Sequence, residues 1–327
     1  MLQKTVFFLI LVMFAAIVVS SPAVTSAPAA SPKDRAREDL TRIDYPSQSA
    51  IEWTPRFILP QDSLEKLFGH DWIYIARFNR VDRRHVYPGM TIKVPNDMEK
   101  VRDYSPLPLT YEPARRHAKY ILISLTEQWL GAYEHGKLQF SMPAATGMDG
   151  HNTPTGLFQV DARDKNHTSS LYKTEDQQAQ YPMDNAIRFH VGPDNVSYWI
   201  HARDLPGKPA SHGCIGVFDE GMQNRQYGIP ADPILLDSEK LYAWAVGNLR
   251  SVVKEDDHTG DDDDNTTDGD TNTANGVDSI GEEAVDTAEI HRSVGGPELV
   301  EGGPIVEVVG ENPHFKSPGF FSFLTRK

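Results

Sequence analysis

Residues 199–216 read Trp-Ile-His-Ala-Arg-Asp-Leu-Pro-Gly-Lys-Pro-Ala-Ser-His-Gly-Cys-Ile-Gly and contain the single cysteine of the 327-residue chain, Cys214. A thiol attacks as the thiolate, and a nearby imidazole favours that form. Two histidines, His201 and His212, precede the cysteine within this stretch. Gly213 has no Cβ and permits a tight turn, which directs backbone N–H groups toward a developing oxyanion. The stretch therefore predicts a nucleophile, a base and oxyanion donors close together.

The same residues allow two other interpretations. A lone cysteine is often a buried and unreactive side chain. His201, His212 and Cys214 are also usual zinc ligands, with His190 as a candidate fourth ligand. The chain has no C-x-x-C or H-x-x-x-H spacing, and we therefore predict neither a metal nor a cofactor.

The N-terminus carries an unbroken apolar run over residues 6–19, preceded by Lys4 and followed by small residues. As a helix this run spans about 21 Å, which is less than a hydrocarbon core of about 30 Å. We expect a secretory signal peptide over residues 1–27, with an uncleaved signal anchor as the alternative. In both cases the chain is exported to the periplasm or cell envelope, where an unpaired cysteine is unusual.

The net charge of −14 lies entirely in residues 255–327, because acidic and basic side chains balance over residues 1–254. The body of the protein thus lacks the basic surface that nucleic-acid binding requires, and we expect no nucleic-acid partner. Residues 255–327 are rich in Asp, Thr, Gly and Asn and bury little apolar surface, so we expect a disordered acidic tail.

Short β-type runs dominate residues 119–254, and turn residues separate them about every ten positions. One helix is predicted over residues 238–254, from apolar residues at helical spacing. The pattern predicts a mainly β fold with few helices, a largely antiparallel sandwich or barrel. Two Pro-rich and charged stretches, 28–52 and 97–118, are predicted linkers.

Residues 53–96 between these linkers predict the order strand, helix, helix, strand. Asp62 followed by Glu65 forms a capping-box pattern at the first helix. The segment resembles a LysM module, through Asp62-Ser63-Leu64, Phe78-Asn79 and Pro88-Gly89-Met90-Thr91-Ile92-Lys93-Val94-Pro95, although Gln61 stands where the usual glycine would precede the Asp. The resemblance implies that this unit binds the glycan of peptidoglycan.

Ser211-His212-Gly213-Cys214-Ile215, preceded by Ile200-His201, resembles the signature of the L,D-transpeptidase (YkuD-type) catalytic domain. The resemblance extends over residues 119–237, where further matching residues are Thr146-Gly147, Thr153-Pro154-Thr155-Gly156-Leu157-Phe158 and Tyr181-Pro182-Met183. It implies that the protein transfers acyl groups of peptidoglycan tetrapeptide stems, either to another stem or to a wall-attached protein.

The resemblance also implies individual roles for residues of this site. Cys214 is the expected nucleophile and His201 the base, with the imidazole oriented by the carbonyl of Ala202. The amides of Gly213 and Cys214 hold the oxyanion, while Ser211 and His212 support the loop.

The sequence departs from the family pattern in two respects. The segment between His201 and Ser211 is short, and Gly216 stands where an Arg or Asn is common. Arg203 or Arg188 is expected to supply the missing group, and we assign the candidate substrate-binding residues as Arg203, Arg188, Tyr181 and Met183.

Two alternatives to transpeptidation stay open at this stage. An L,D-carboxypeptidase would use the same thioester and resolve it with water, and the sequence does not separate the two reactions. A non-catalytic peptidoglycan-binding protein would rely on the LysM-like unit alone, and such a protein has no need for Cys214, His201 and His212.

Overall fold

The computed structural model describes residues 38–174, 177–252 and 296–315. The strands in these residues are β1 (Trp53–Phe57), β2 (Thr91–Pro95), β3 (Tyr120–Ser124), β4 (Trp129–Glu134), β5 (Lys137–Ala145), β6 (Gly156–Gln159), β7 (Ala162–Lys173), β8 (Gln180–Val191), β9 (Ser197–Arg203), β10 (Ile215–Phe218), β11 (Glu298–Leu299) and β12 (Ile305–Val309). The α-helices are α1 (Leu64–Phe68), α2 (Trp72–Asn79), α3 (Glu99–Arg102), α4 (Glu220–Tyr227) and α5 (Asp237–Val246).

Ten strands form one sheet in the order β11-β7-β8-β9-β10-β5-β4-β3-β12-β6. The pairs β9–β10 and β3–β12 are parallel, and the other pairs are antiparallel. The ring of Phe158 on β6 lies 5.5 Å from that of Phe189 on β8, although many strands separate them in the sheet. The sheet therefore curls around its core. The predicted mainly β fold with few helices is confirmed, whereas the parallel pairs were not predicted.

Helix α5 covers this core with Leu241, Ala245 and Val246, which are buried. The helix ends at Val246, next to Gly247, so the predicted helix over 238–254 was too long. Glycine costs about 1 kcal/mol in a helix relative to alanine, which favours an end at this position.

The N-terminal unit comprises residues 38–96. Its residues 53–96 have the predicted order of strand, helix, helix and strand, with β1 antiparallel to β2. Helix α1 is capped by Ser63, whose hydroxyl accepts from the backbone N–H of Lys66 at 3.3 Å. Asp62 instead accepts from the N–H of Leu59, so the predicted capping residue was wrong by one position. The glycan-binding role of this unit stays a prediction.

The N-terminal unit shares a hydrophobic core with the large sheet. Leu40, Ile43 and Tyr45 are buried in the same cluster as Leu205 and Phe218. Short 3-10 helices at Leu40–Arg42 and Pro46–Ala50 hold these side chains in place. The prediction of a linker over 28–52 was therefore wrong for residues 38–52, where Leu40, Ile43 and Tyr45 are buried.

The second predicted linker, 97–118, is also packed. It contains α3 and a 3-10 helix at Glu112–Arg116. Leu107 and Ala114 are buried against Tyr120 and Trp129 of the large sheet. The prolines of this segment thus lie in turns that pack on the large sheet, and the prediction of a linker over 97–118 was wrong.

The C-terminal segment 296–315 corrects the prediction of a disordered tail. Strand β12 lies between β3 and β6, with Val306 and Val308 almost fully buried. Glu307 accepts hydrogen bonds from the hydroxyls of Tyr111 and Tyr120 at 2.7 and 2.6 Å.

Residues 253–295 and 316–327 lie outside the described residues, as does the expected signal peptide. Within the described ranges, no helix has the length and apolar character needed to cross a membrane.

We predict that a chain ending at residue 252 loses cooperative unfolding, because β3 and β6 then lack their shared neighbour and the core lacks Val300, Val306 and Val308. Thermal unfolding followed by near-ultraviolet circular dichroism measures this. A chain ending at residue 315 keeps every described element and should melt like the full-length protein. A cooperative transition of the 252-residue chain at the same temperature would contradict the prediction.

Candidate active site

The parallel pair β9–β10 brings together the two residues expected to act chemically. Ile200 pairs with Ile215 and His201 pairs with Gly216. Side chains alternate along a strand, so His201 and Cys214 lie on the same face of the sheet. Ile200 and Ile215 point to the other face, into the core.

The side chain of His201 is buried and fixed in one tautomer. Its Nδ1 lies 2.7 Å from the carbonyl oxygen of Ala202, which only accepts hydrogen bonds, so Nδ1 carries the proton. Burial, with the nearby charge of Arg203, lowers the pKa of His201 to about 3. The imidazole is therefore neutral at physiological pH, and its Nε2 has a free lone pair.

Cys214 as a residue is only partly buried, whereas its thiol group is surrounded by protein. Burial raises its pKa, while a backbone hydrogen bond from Trp199 and the charge of Arg203 act to lower it. His201 and Cys214 are both described, and the structure contains no hydrogen bond between them. Catalytic hydrogen bonds often tighten only when substrate binds.

Gly213 precedes the cysteine with φ +117°, a conformation that favours glycine. A Cβ at this position would lie 2.8 Å from the ring of Tyr198. The N–H of Gly213 donates to the hydroxyl of Ser211 at 3.1 Å, and this hydroxyl donates to the carbonyl of Cys214. In this conformation the N–H of Gly213 therefore donates within the loop, and its expected oxyanion role stays a prediction.

A second loop, residues 146–153, contacts residues 210–214, which we call the cysteine loop. Gly147 bridges to Ser211, and the carbonyl of Thr146 accepts from the N–H of Ser211 at 3.0 Å. The hydroxyl of Thr153 donates to the carbonyl of Gly213 at 2.9 Å. Asn312, in the C-terminal segment, donates to the carbonyl of Gly147 at 2.8 Å. The C-terminal segment thus contacts the support of the cysteine loop directly.

Aromatic rings cover the cysteine loop from the β7–β8 hairpin and from loop 146–153. Tyr172 stacks on His212 with ring centroids 4.0 Å apart, and His151 contacts His212 edge-on at 4.6 Å. Burial, together with His151 and Arg203, lowers the pKa of His212 to about 4. Tyr172 and His151 were missed in the sequence, because neither lies in a stretch with a recognisable pattern.

The four predicted substrate-binding residues divide into two groups. Tyr181 and Met183 pack in one hydrophobic cluster with Cys214, and the guanidinium of Arg203 lies 5.5 Å from the ring of Tyr181. Arg188 donates to Asp161 at 2.8 Å and lies 5.7 Å from the ring of Trp199. Among the described residues, the polar partner of Arg188 is Asp161 and not a residue of the cysteine loop.

Residues 204–214 connect β9 to β10, and they form hydrogen bonds with the N-terminal unit. The N–H of Asp82 donates to the carbonyl of Leu205 at 2.9 Å, and the buried carboxylate of Asp82 accepts from the N–H of Leu205 at 2.6 Å. The hydroxyl of Tyr45 donates to the carbonyl of Gly207 at 2.8 Å. These contacts were not predicted from the sequence.

A buried arginine links the N-terminal unit to loop 146–153. Arg80 is 1% exposed, stacks on Tyr45 at 3.8 Å and donates to the carbonyl of Glu127 at 3.1 Å. The next residue, Gln128, accepts from the N–H of Thr146 at 2.9 Å. The N-terminal unit thus contacts residues 204–214 directly and is linked to loop 146–153 through Glu127 and Gln128.

Asp82, His85 and Asp204 form a cluster whose potential ligand atoms lie within 4.8 Å of one another. Hydrogen-bond donors already occupy both carboxylates, among them Leu205 for Asp82 and Arg84 for Asp204. Burial acts to lower the pKa of His85, but the Asp82 carboxylate outweighs it, and the pKa is raised. The cluster is therefore an internal hydrogen-bond network that joins the N-terminal unit to the sheet.

The central part of the chain matches the model of a known protein family. Residues 118–225 match the family model of the YkuD L,D-transpeptidase catalytic domain. This range contains β3 to β10 and most of α4, and it excludes the N-terminal unit, β11 and β12. No curated protein matches the sequence.

Three solved L,D-transpeptidase structures are similar to this chain. That from Stackebrandtia nassauensis is 18% identical, with 61% of this chain and 58% of that chain covered and a TM-score of 0.32. That from Xylanimonas cellulosilytica is 22% identical, with 50% and 74% covered and a TM-score of 0.32. L,D-transpeptidase 3 from Mycobacterium tuberculosis is 20% identical, with 36% and 60% covered and a TM-score of 0.26. The chain thus spans less than two thirds of the first of these structures.

The lowered pKa of His201 predicts a loss of stability in acid. The folded value of about 3 lies below the ordinary value near 6.5, so the unfolded chain binds this proton first as the pH falls. The free energy of unfolding should decrease by up to about 1.4 kcal/mol per pH unit from pH 6.5 to 4 on account of this residue alone. Urea unfolding at several pH values measures the slope.

His201→Gln should flatten that slope, whereas His70→Gln, at an exposed histidine, should leave it unchanged. An identical slope in the His201→Gln variant and the wild type would show that His201 is protonated in the folded protein as well.

Proposed function

We propose that this protein is an exported cysteine L,D-transpeptidase that acts on tetrapeptide stems of peptidoglycan. The observation that carries the proposal is the parallel β9–β10 pair, which puts a neutral, oriented His201 and the thiol of Cys214 on one face. The match of residues 118–225 to the L,D-transpeptidase catalytic domain supports the reaction class.

In the proposed first half-reaction, the thiol sulfur of Cys214 attacks the carbonyl carbon of the third stem residue. Nε2 of His201 accepts the thiol proton, because Nδ1 already carries a proton and donates it in a hydrogen bond to the carbonyl of Ala202. The tetrahedral oxyanion is stabilised by backbone donors of the cysteine loop, with the amide of Cys214 as candidate. The C–N bond then breaks, His201 returns the proton to the departing amine, and D-alanine leaves a thioester on Cys214.

In the second half-reaction, an amine of another stem attacks the thioester carbon and gives its proton to His201. A new amide forms and the thiol is restored, so no external oxidant, reductant or metal is needed. An amine on a wall-attached protein is chemically equivalent as acceptor.

Transfer and hydrolysis differ only in the group that resolves the thioester. The ring of Tyr172 stacks on His212, and the ring of Tyr198 lies against Gly213, next to Cys214. An apolar cover restricts access of water to the thioester and favours a bound amine. This arrangement supports transfer over the L,D-carboxypeptidase alternative.

The N-terminal unit is proposed to bind peptidoglycan glycan, as its resemblance to a LysM module implies. Its strand β1 is largely exposed, and Phe57 and Leu59 are 55% and 40% exposed. Exposed apolar and aromatic side chains provide stacking surface for sugar rings. Glycan binding at this unit would keep the substrate near Cys214. Export to the periplasm or cell envelope is proposed on the N-terminal sequence alone.

We predict that Cys214→Ala abolishes release of D-alanine from purified tetrapeptide muropeptides, because the thioester cannot form. Mass analysis of the products measures this, and cross-linked dimers in the wild-type reaction indicate transfer. Tripeptides without dimers would instead support hydrolysis. Ser141→Ala, which alters a hydroxyl remote from the cysteine loop, serves as the control. Absence of D-alanine release by the wild type with every amine acceptor would overturn the enzymatic proposal.

We also predict that the double variant Phe57→Ala, Leu59→Ala binds insoluble peptidoglycan several-fold more weakly than the wild type. Sedimentation with purified sacculi measures binding, and Cys214→Ala in the background removes any contribution of turnover. Leu109→Ala removes a side chain that is 77% exposed outside the unit, and should bind normally. Equal binding by the double variant would place the glycan contact elsewhere.

A further inference from the structure

Arg203 and Gly216 fit together on the face of the sheet that carries Cys214. Arg203 is the last residue of β9 and lies two residues after His201, so both side chains share a face. A Cβ built on Gly216 would lie 2.4 Å from Cβ and 2.3 Å from Cδ of Arg203. The stem of Arg203 therefore lies where a side chain at position 216 would begin. Any other residue at 216 would displace it.

The guanidinium of Arg203 is tied to the cysteine loop on one side only. Nη2 donates to the carbonyl of Ala210 at 2.8 Å, immediately before Ser211. Nε is buried and has no hydrogen-bond partner. None of the carboxylates in the described ranges forms an ion pair with Arg203. Its positive charge is consequently not neutralised by a direct contact.

The charge of Arg203 acts on several groups of the site. Burial is the main influence on the thiol of Cys214 and raises its pKa, whereas Arg203 acts in the opposite direction. Arg203 also helps to keep His201 and His212 neutral. Two tyrosines also interact electrostatically with the thiol, namely Tyr172 on β7 and Tyr198 on β9. Both are neutral phenols, so they do not supply a competing positive charge.

We propose that Arg203 is a positioning residue for Cys214. Its charge favours the thiolate form of Cys214, and its hydrogen bond to Ala210 holds the cysteine loop in place. It reaches this place from β9 because position 216 on β10 is a glycine. This inference rests on the proposed function insofar as the thiolate is the nucleophile. Its effect on the thiol is independent of any substrate.

The test is the pH profile of Cys214 alkylation by iodoacetamide, a reaction that the single cysteine makes specific. Arg203→Met should raise the thiol pKa by about one unit. At pH values below that pKa, alkylation should slow about fourfold, because a tenfold smaller thiolate fraction is partly offset by the greater reactivity of a more basic thiolate. Arg203→Lys keeps the charge and should retain most of the wild-type profile.

Gly216→Ala tests the same idea without removing a charge. The added methyl group collides with the stem of Arg203, so the guanidinium must move and the thiol pKa should again rise. This variant also serves if Arg203→Met does not fold. Arg225→Met removes an exposed charge that pairs with Asp184, and should leave the profile unchanged.

Each outcome separates the inference from the proposed function. A lower melting temperature with an unchanged thiol pKa, in both Arg203→Met and Gly216→Ala, would overturn the inference and reduce Arg203 to a structural role. The activity of the wild type on muropeptides is unaffected by that result. Conversely, an inactive wild type with the expected alkylation profiles would overturn the transpeptidase proposal and leave the effect of Arg203 standing.

Discussion

The parallel pairing of β9 with β10 is the constraint on which the site depends. Neighbouring parallel strands need a connection that returns along the full strand length, which commonly takes a dozen or more residues and often a helix. Here residues 204–214 make the return without a helix. Such a short segment has few apolar side chains of its own, so it must obtain its packing and hydrogen bonds from other parts of the chain. The contacts of Asp82 with Leu205 and of Tyr45 with Gly207 satisfy that need.

The segment that matches the catalytic domain is therefore supported by residues on both sides of it in the sequence. The N-terminal unit contacts the return segment through Asp82, and it is linked to loop 146–153 through Glu127 and Gln128. The C-terminal segment contacts the same loop through Asn312 and extends the sheet with β12. Changes in either flanking region can consequently alter the geometry around Cys214 without any contact to the thiol, by moving the loops on which it lies.

The sequence predicted best what is encoded in contiguous residues. The cysteine segment and the N-terminal order of strand, helix, helix and strand were recognisable because their signals lie within short windows. The long hairpin β7–β8 was not predicted, because its many polar residues obscure the alternation of apolar and polar side chains that is typical of a strand. Strand β12 was missed because it lies in a C-terminal region that was classified as disordered from its acidic composition. The packed residues of the two supposed linkers were also missed. Whether a sparse apolar residue such as Leu40 is buried depends on distant partners, which a local pattern does not contain.

The position of β12 in the sequence has a consequence for the order of folding. A chain is made from its N-terminus, so β3 exists long before residues 305–309 can pair with it. Until then, β3 presents an unpaired edge and the hydrophobic core is open on one side, a condition that exposes a chain to proteolysis and aggregation. The contacts of Asn312 with loop 146–153 form later still. The hydrogen bond from Asn312 to loop 146–153 is thus one of the last contacts around the site to become available during synthesis.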